Sequence, residues 1–350
     1  MAIPILGDMS GIAYQTSKRV TEPVVNIIAP EHERESTVRV EEVGGMSPTL
    51  QAVADSRHRT SEQRSLRNKS LVCAVASLQE HLSRRQQYLI SIAKEKGVSS
   101  WLTAQPSAIY LTTLNKSDFR DAVSLRYGFQ FDGLPCSCVC GEDMTVDHAM
   151  TCPCGGYPIY ELRDIIADVM QDAIHDVEVE PTLLPYDRED LHGRSSNRST
   201  EARADIKARG FWTRQQEAFF DIRVTHPKAN LLSSSEVFRQ LSNNEREKKR
   251  QYAQRINTVD RGVFTPLVFT TDGISGQECT RFMKMLVAII LAKNVDLNYS
   301  VVMSRLRTKI SFSLLRWSIT CLRGCRSSYR RRHSPSFVSE CHLSVATRNY

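Results

Sequence analysis

RADIKARGFWTRQQEAFFDIRVTHP, residues 203–227, holds two runs of strand-forming residues with a glycine between them. The runs predict β-strands near 203–208 and 218–225, and Gly210 can turn the chain between them as a hairpin. Because side chains alternate along a strand, one face of the second strand is predicted to be apolar. That face carries Phe220, Ile222 and Val224.

Two carboxylates accompany this hairpin. Asp205 lies in the first predicted strand, and Asp221 shares the second face of the other strand with Phe219 and Arg223. Paired carboxylates are suitable ligands for Mg²⁺, and a bound metal activates water and neutralises charge on a phosphate. A neighbouring cation can stabilise the same transition state. The pattern predicts metal-dependent cleavage of a phosphodiester, and the alternative is a surface hairpin with an ordinary Asp–Arg pair.

The flanking sequence predicts helices and strands in an order typical of a mixed α/β domain. Apolar residues at helical spacing follow residue 71, and Asn115 can cap a helix over residues 116–127. From residue 160 onward the predicted order is α-β-β-β-α-β-α-α. Outside the hairpin, these elements are a helix at 160–176, a strand at 177–184, a helix at 236–257, a strand at 264–270 and helices at 276–293 and 298–323.

Five of the ten cysteines lie in CSCVCGEDMTVDHAMTCPC, residues 136–154, together with a histidine. The spacing C-x-C-x7-H-x3-C suits one tetrahedral zinc ion, because zinc takes four sulfur or nitrogen ligands. Gly141 permits a tight turn after the first two thiols, and a short helix would place the last two ligands on one side. The site leaves no open position and is predicted to be structural. The ligands are Cys138, Cys140, His148 and Cys152.

Two further cysteines leave alternatives for this zinc site. Cys136 could replace Cys138, which gives C-x3-C, and Cys154 could replace Cys152, which gives H-x5-C. A set of buried free cysteines beside an unrelated histidine is the alternative to metal binding. The clustering of these ligand-type residues within so short a segment favours zinc.

Basic residues are concentrated at the C-terminal end of the chain. The 350 residues carry a net charge of +7, and the last fifty hold ten Lys or Arg and one acid, Glu340. A basic end suits contact with a polyanion, and a solvated disordered tail is the alternative. The longest apolar run, residues 285–292, is too short to span a bilayer, and the N-terminal sequence lacks the features of a secretory signal. The expectation is an intracellular protein without a membrane partner.

As a set, several short motifs resemble the C-terminal region of reverse-transcriptase-like proteins from invertebrate mobile elements. The motifs are SKRVTEPVVNII (17–28), KGVSSWLTAQP (96–106), LNKSDFRDAVSLRYG (114–128), LPCSCVCGEDMTVDHAMTCPCGG (134–156), EARADIKARGFWTRQQEAFFDIRVTHPKA (201–229), EKKRQYAQRI (247–256), GVFTPLVFTTDG (262–273) and SFSLLRWSITCLRGCRS (311–327). The order of knuckle and acidic hairpin also resembles the restriction-like endonucleases of site-specific non-LTR retrotransposons, which belong to the PD-(D/E)xK class.

This resemblance implies a fold and a metal site. The fold is α/β, with a small zinc knuckle followed by a restriction-endonuclease-like mixed sheet that helices flank. Asp205 and Asp221 are implied as the carboxylates that hold magnesium, and Arg223 occupies the position usually held by lysine. The knuckle ligands are the three cysteines and the histidine already named.

The remaining catalytic residues implied by the resemblance are an upstream acid and a cation. Glu180 is the preferred acid, with Glu161 as the alternative, and Lys249 on the following helix is expected to stand in for the displaced lysine. The sequence departs from the family pattern at two positions. Arg223 cannot lose a proton near neutral pH and so cannot act as a general base, although it can clamp phosphate. Ala204 replaces the proline of the PD pair.

The organisation and function follow as predictions. The expected segments are a loosely ordered linker (1–70), a helical region (71–133), the zinc knuckle (134–156), the nuclease domain (157–326) and a disordered basic tail (327–350). The predicted function is a retroelement-derived, magnesium-dependent endonuclease that nicks target DNA for integration, in the nucleus. The alternatives are a catalytically dead nucleic-acid-binding remnant and a plain zinc-stabilised remnant. No YxDD-type motif of a polymerase is present, so no reverse transcriptase activity is expected.

Overall fold

The structure is a computed structural model. It describes residues 81–138, 140–152, 160–183, 204–227, 233–324 and 336–346, together with positions 65, 68, 69 and 72. The chain divides into two compact units, residues 1–83 and 84–350, and nearly all described residues belong to the second. The predicted loop at 186–201 and almost all of the predicted linker at 1–70 lie outside the described residues. None of the helices in the described ranges combines the length and the apolar character that crossing a membrane requires.

The second unit alternates helices and strands. Its described helices are α1 (Arg84–Ile92), α2 (Lys116–Tyr127), α3 (Val146–Thr151), α4 (Tyr160–Ala173), α5 (Ser234–Arg255), α6 (Gln277–Lys293), α7 (Tyr299–Arg323) and α8 (Phe337–Ala346). Its described strands are β1 (Val177–Val179), β2 (Ile206–Arg209), β3 (Glu217–Thr225) and β4 (Val263–Thr270). A 3-10 turn covers Ser100–Leu102, and a π-helical turn at Ile256–Asp260 follows α5. The predicted order α-β-β-β-α-β-α-α is confirmed from α4 to α7.

The four strands form one mixed sheet in the order β1-β2-β3-β4. β1 pairs with β2 and β2 with β3 in antiparallel fashion, and β3 pairs with β4 in parallel. Helix α5 supplies the crossover that a parallel pair needs. Pro266 lies in β4 at the edge of the described sheet, where a missing backbone N–H is best tolerated.

Helices cover both faces of the sheet, so the fold is mixed α/β with three layers. One face of the sheet packs against α4, α6, α7 and α8. This face includes the apolar side predicted for β3: Phe220 is buried in the main core, and Ile222 and Val224 pack against that core. The opposite face is covered by α5, where Phe219 packs with Tyr252. The alternation predicted for β3 is therefore confirmed. It follows that Asp221, next to Phe219, faces α5.

Glu245 shows how the elements around this second face are joined. Helix α6 is preceded at its N-cap position by Gly276, which has no side chain to cap the helix. Instead, Oε1 of Glu245 in α5 accepts a hydrogen bond from the backbone N–H of Glu278 at 2.9 Å. A Cβ atom on Gly276 would lie 2.1 Å from that oxygen, so only glycine permits the approach. The buried acid thereby satisfies the amino end of α6 and ties it to α5.

Two strands are shorter than predicted. The strand expected at 177–184 ends at Val179, and Glu180 takes a left-handed conformation with φ +52°. Asp205 lies immediately before β2, and its side chain accepts the backbone N–H of Ile222. At the turn, Gly210 has φ +79° and its N–H donates to Gln216 at 2.8 Å. A longer loop than a two-residue turn therefore joins β2 and β3.

The predicted disordered tail at 327–350 is wrong for residues 337–346, which form α8. Glu340 in α8 is 1% exposed, and its Oε2 lies 2.9 Å from Nζ of Lys309 in α7. Phe337 joins the main core, and Oδ2 of Asp172 in α4 accepts the N–H of Val338 at 3.3 Å. Distant contacts therefore hold a helix too short to be recognised from its own pattern. The flanking positions 327–335 and 347–350 lie outside the described residues.

Candidate metal centre and acidic site

Three thiols and one imidazole converge in the segment between α2 and α4. Their ligand atoms all lie within 4.8 Å of one another. The Sγ atoms of Cys138 and Cys152 are 3.7 Å apart, and a tetrahedral zinc ion with Zn–S bonds of about 2.3 Å separates two sulfurs by about 3.8 Å. The Sγ atom of Cys140 lies 3.2 Å from Nε2 of His148. The four predicted residues are brought together, and the cluster could bind a metal such as zinc.

Local sequence explains how these four side chains meet. Gly141 has φ +92°, and its N–H donates to the carbonyl of Cys138 at 2.9 Å, which closes the tight turn that was predicted. The side chain of Thr145 caps α3 by accepting the N–H of His148 at 3.0 Å. The N–H of Cys152 donates to the carbonyl of His148 at 2.8 Å, so one helical turn separates these two ligands. Both therefore lie on the same side of α3.

The structure bears on only one of the two alternative ligands, Cys136 and Cys154. Cys136 is exposed and does not belong to the group of ligand atoms found among the described residues. Cys154 lies outside the described residues. Its exchange with Cys152 therefore stays a prediction.

The cluster is attached to the rest of the unit by packing and by hydrogen bonds. Met150 of α3 packs against Leu322 of α7. Oδ1 of Asp147 lies 2.8 Å from Nε2 of His226, and Nδ1 of that ring lies 2.7 Å from Oγ1 of Thr271. His226 and Thr271 directly follow the parallel strands β3 and β4. The knuckle is thus anchored to both α7 and the end of the sheet.

The predicted acidic pair meets across β2 and β3. The register places Ile206 opposite Phe220, so Asp205, one residue earlier, lies beside Asp221, one residue later on the antiparallel strand. Oδ2 of Asp205 accepts the backbone N–H of Ile222 at 2.6 Å, which holds that carboxylate against β3. The two carboxylates are therefore close neighbours on the sheet.

Burial disfavours the ionised forms of both acids, and repulsion by Asp221 adds to this effect at Asp205. Burial, followed by the charge of Asp221, raises the pKa of Asp205 to about 6, and the positive charges of Arg163 and Lys248 oppose this. Burial also raises the pKa of Asp221, which is 6% exposed, and Lys248 again opposes the shift. A buried and a partly buried carboxylate side by side favour binding of further positive charge.

The structure places Lys248, not the predicted Lys249, beside the acidic pair. Nζ of Lys248 lies 2.9 Å from Oδ2 of Asp221 and 5.3 Å from the ring centroid of Tyr252. The ammonium group of Lys249 pairs with Glu278 at the start of α6. Of the two lysines, Lys248 adjoins the acidic pair and the predicted Lys249 does not.

Helical periodicity could have made this distinction. The buried positions of α5 begin with Val237 and Leu241 and continue through Glu245 to Tyr252. Steps of four, four, three and four residues along this face select Lys248, and Lys249 lies about 100° further round the helix. The periodicity of the apolar residues along α5 therefore indicates which of the two lysines faces the sheet.

Arg223 lies on the same face of β3 as Asp221, as predicted. Its Nη1 atom donates to Oε2 of Glu247 in α5 at 2.8 Å. Its positive charge also opposes the rise in the pKa of Asp221. Arg223 therefore contributes to the electrostatics of the acidic pair while its guanidinium group is engaged with α5.

The two candidate upstream acids occupy different places. The N–H of Glu180 donates to the carbonyl of Asp205 at 2.8 Å, so Glu180 continues the row of acids towards the sheet edge. Its carboxylate pairs with Arg163 of α4, a residue that the sequence interpretation missed. Glu161 accepts from Nε of Arg316 in α7 at 2.6 Å. Of the two acids, Glu180 adjoins the pair.

The raised pKa of Asp205 predicts that stability falls as this group ionises. Its folded pKa, about 6, lies above the ordinary value of 3.8, so its contribution to stability is full below about pH 4 and is lost as pH rises through about 6. Asp205→Asn, which stays neutral, should therefore become more stable than the wild type by up to about 3 kcal/mol at pH 7. Denaturant unfolding of zinc-loaded protein without magnesium, from pH 4.5 to 7.5, measures the difference.

The matched control for this measurement is Asp296→Asn, at an exposed carboxylate after α6. Its free energy of unfolding should follow the wild type at every pH. A gap between wild type and Asp205→Asn that does not widen with pH would contradict the proposed electrostatic strain.

Comparisons with protein families and curated proteins found no match, so the protein is described by its fold and its site alone. No protein-family model matches the chain. No curated protein sequence matches it either. The fold and site define a mixed α/β protein with a Cys₃His cluster and a buried, lysine-paired acidic pair.

Proposed function

We propose that this protein is a metal-dependent DNA endonuclease of retroelement origin, with its catalytic site at Asp205 and Asp221. The observation that carries the proposal is the buried carboxylate of Asp221 beside the partly buried carboxylate of Asp205, with the ammonium group of Lys248 2.9 Å from Asp221. Cleavage of a phosphodiester requires ligands for a divalent metal and a cation near the phosphate. Both are supplied here by rigid elements.

Each residue has a role in this proposal. Asp205 and Asp221 would hold Mg²⁺ through carboxylate oxygens, a donor set that this hard cation prefers. Bound Mg²⁺ supplies a more acidic water and neutralises charge that develops on the phosphate. Lys248 and Arg223 add positive charge on the α5 side of the pair. Arg223 cannot be the general base, and its role is electrostatic.

Access to the pair is expected from the β1 side of the sheet. Asp221 is 6% exposed, whereas the side chain of Glu180 is 48% exposed. Asp205, between them, is partly buried. A phosphate that approaches from Glu180 would displace or join Arg163, whose guanidinium group already pairs with that acid.

The proposed partner is DNA. Arg239, Arg246 and Arg250 in α5 are exposed and are separated by seven and four residues, so they lie on one face of the helix. Contacts between such arginines and phosphates release counterions and give salt-dependent affinity. The proposed function of the Cys₃His cluster is to hold a structural zinc ion, because all four ligand positions are filled by protein side chains.

Nicking of supercoiled plasmid tests the proposal. Purified protein loaded with zinc should convert supercoiled to open-circular DNA when Mg²⁺ or Mn²⁺ is added, and not when these cations are omitted. Loss of activity at high salt would accompany loss of binding. Salt-sensitive DNA binding without nicking under either cation would overturn the catalytic proposal and support the alternative of a binding protein on a dead nuclease fold.

The two neighbouring lysines provide a matched pair of variants. Lys248→Met should lower the nicking rate by about 10²- to 10³-fold, because it removes preorganised positive charge at the acidic pair. Lys249→Met should change the rate little, since its ammonium group pairs with Glu278 and not with Asp221. Single-turnover nicking rates, with circular dichroism to verify folding, measure both. Equal losses in the two variants, or a loss only in Lys249→Met, would contradict the assignment.

A further inference from the structure

A small cavity lies at the carboxyl end of the parallel strands, away from the acidic pair. His226 follows β3, and Thr271 and Asp272 follow β4, and all three line a cavity of about 50 Å³. His226 is five residues beyond Asp221 along β3, a separation of roughly 16 Å. In open α/β sheets the crevice beyond the carboxyl ends of parallel strands is the usual location of ligands. The position is therefore suited to a second site.

The charges that line this cavity do not cancel. Its charged residues are Arg85, Arg126 and Asp272. Asp272 is already engaged, because it lies 3.9 Å from Arg85 and accepts a hydrogen bond from the hydroxyl of Tyr88 at 3.2 Å. Arg126 donates to Oγ of Ser99 at 2.6 Å and, within the described ranges, pairs with no carboxylate. Burial lowers the pKa of Arg126, and the charge of Asp272 in the same cavity opposes this shift.

A buried serine adds a polar group to the lining of the cavity. Ser318 of α7 is 2% exposed and lines the cavity, and its Oγ atom has no hydrogen-bond partner among the residues that the structure describes. A buried hydroxyl in this state costs free energy unless a ligand or water completes it. The rest of the wall is largely apolar and includes Trp101, Leu315 and Met150. An excess positive charge, the buried hydroxyl of Ser318 and an apolar wall thus belong to residues that line the same cavity.

These features select the ligand class. We propose that the cavity binds a small monocarboxylate, with its carboxylate at Arg126 and Ser318 and its short apolar part against Trp101 and Leu315. A single negative charge matches the excess of one positive charge that Arg85, Arg126 and Asp272 together give the lining. A volume of about 50 Å³ holds about three to five water-sized groups, which fits a molecule of the size of acetate or propionate and excludes a peptide or nucleotide.

Thermal melting and calorimetric titration of the zinc-loaded full chain test this site. The probes are sodium acetate, propionate and butyrate, each compared with sodium chloride at the same ionic strength. Acetate or propionate should raise the melting temperature saturably, by about 5 °C at a hundredfold excess over Kd. The neutral amides of the same acids should not, because they lack the charge that Arg126 recognises.

Variants distinguish this cavity from non-specific salt effects. Arg126→Gln should abolish the shift, and Arg120→Gln, at an exposed arginine of the same helix, should retain it. Ser318→Ala should fold normally and weaken carboxylate binding about tenfold, since it removes only the hydroxyl. An equal shift in Arg126→Gln, an equal shift with the amides, or no shift with any carboxylate would overturn the proposal. None of these results depends on nuclease activity.

Discussion

Replacing Asp221 with asparagine should abolish metal-dependent nicking of plasmid DNA, with a fall in rate of at least about a thousandfold, or about 4 kcal/mol of barrier. The variant removes one of the two charges that are proposed to hold the divalent cation. It also removes the counter-ion of Lys248, which lies 2.9 Å away. Asparagine has nearly the same shape, so the packing of this 6% exposed position should survive.

A direct measurement of cation binding should accompany the nicking assay. Mn²⁺ titration followed by electron paramagnetic resonance should show a bound ion in the wild type. The affinity of Asp221→Asn for Mn²⁺ should be much lower. Glu178→Gln, at an exposed carboxylate on β1, is the matched control and should behave as the wild type in both assays. Nicking by Asp221→Asn at the wild-type rate would place the activity elsewhere.

Replacing Cys152 with serine should remove zinc and lower the stability of the second unit by several kcal/mol, on the order of half the apparent free energy of a structural zinc site. Cys152 is buried and closes the cluster from the end of α3. Without the metal, no coordination bonds hold the residues of α3 in the position in which they pack on α7. Zinc content by mass spectrometry and thermal melting measure the two effects.

Cys136→Ser is the matched control for this prediction. Cys136 is exposed and lies outside the ligand group, so the variant should retain one zinc ion per chain and the wild-type melting temperature. Zinc loss in Cys136→Ser with zinc retained in Cys152→Ser would show that the alternative ligands are used. The same result would indicate that Cys154 is a zinc ligand in place of Cys152.

The sequence alone determined those features that depend on nearby residues. The cluster ligands lie within fifteen positions, and a turn at Gly141 and one turn of helix between His148 and Cys152 suffice to bring them together. Alternation along β3 likewise separated the apolar face from the face that carries Asp221. The order of helices and strands followed from periodicities of 3.6 and 2 residues, which are local properties of the chain.

Tertiary structure decided the features that depend on how elements pack. Lys248 was distinguished from Lys249 by the rotation of α5 on the sheet, which its buried face sets. Helix α8 is stabilised by the ion pair between Glu340 and Lys309 and by the packing of Phe337 in the main core. Its own sequence pattern is too short to predict it. The cavity of Arg126 and Ser318 arises where α2 and α7 meet the ends of β3 and β4. Such contacts join residues far apart in sequence, and no local periodicity encodes them.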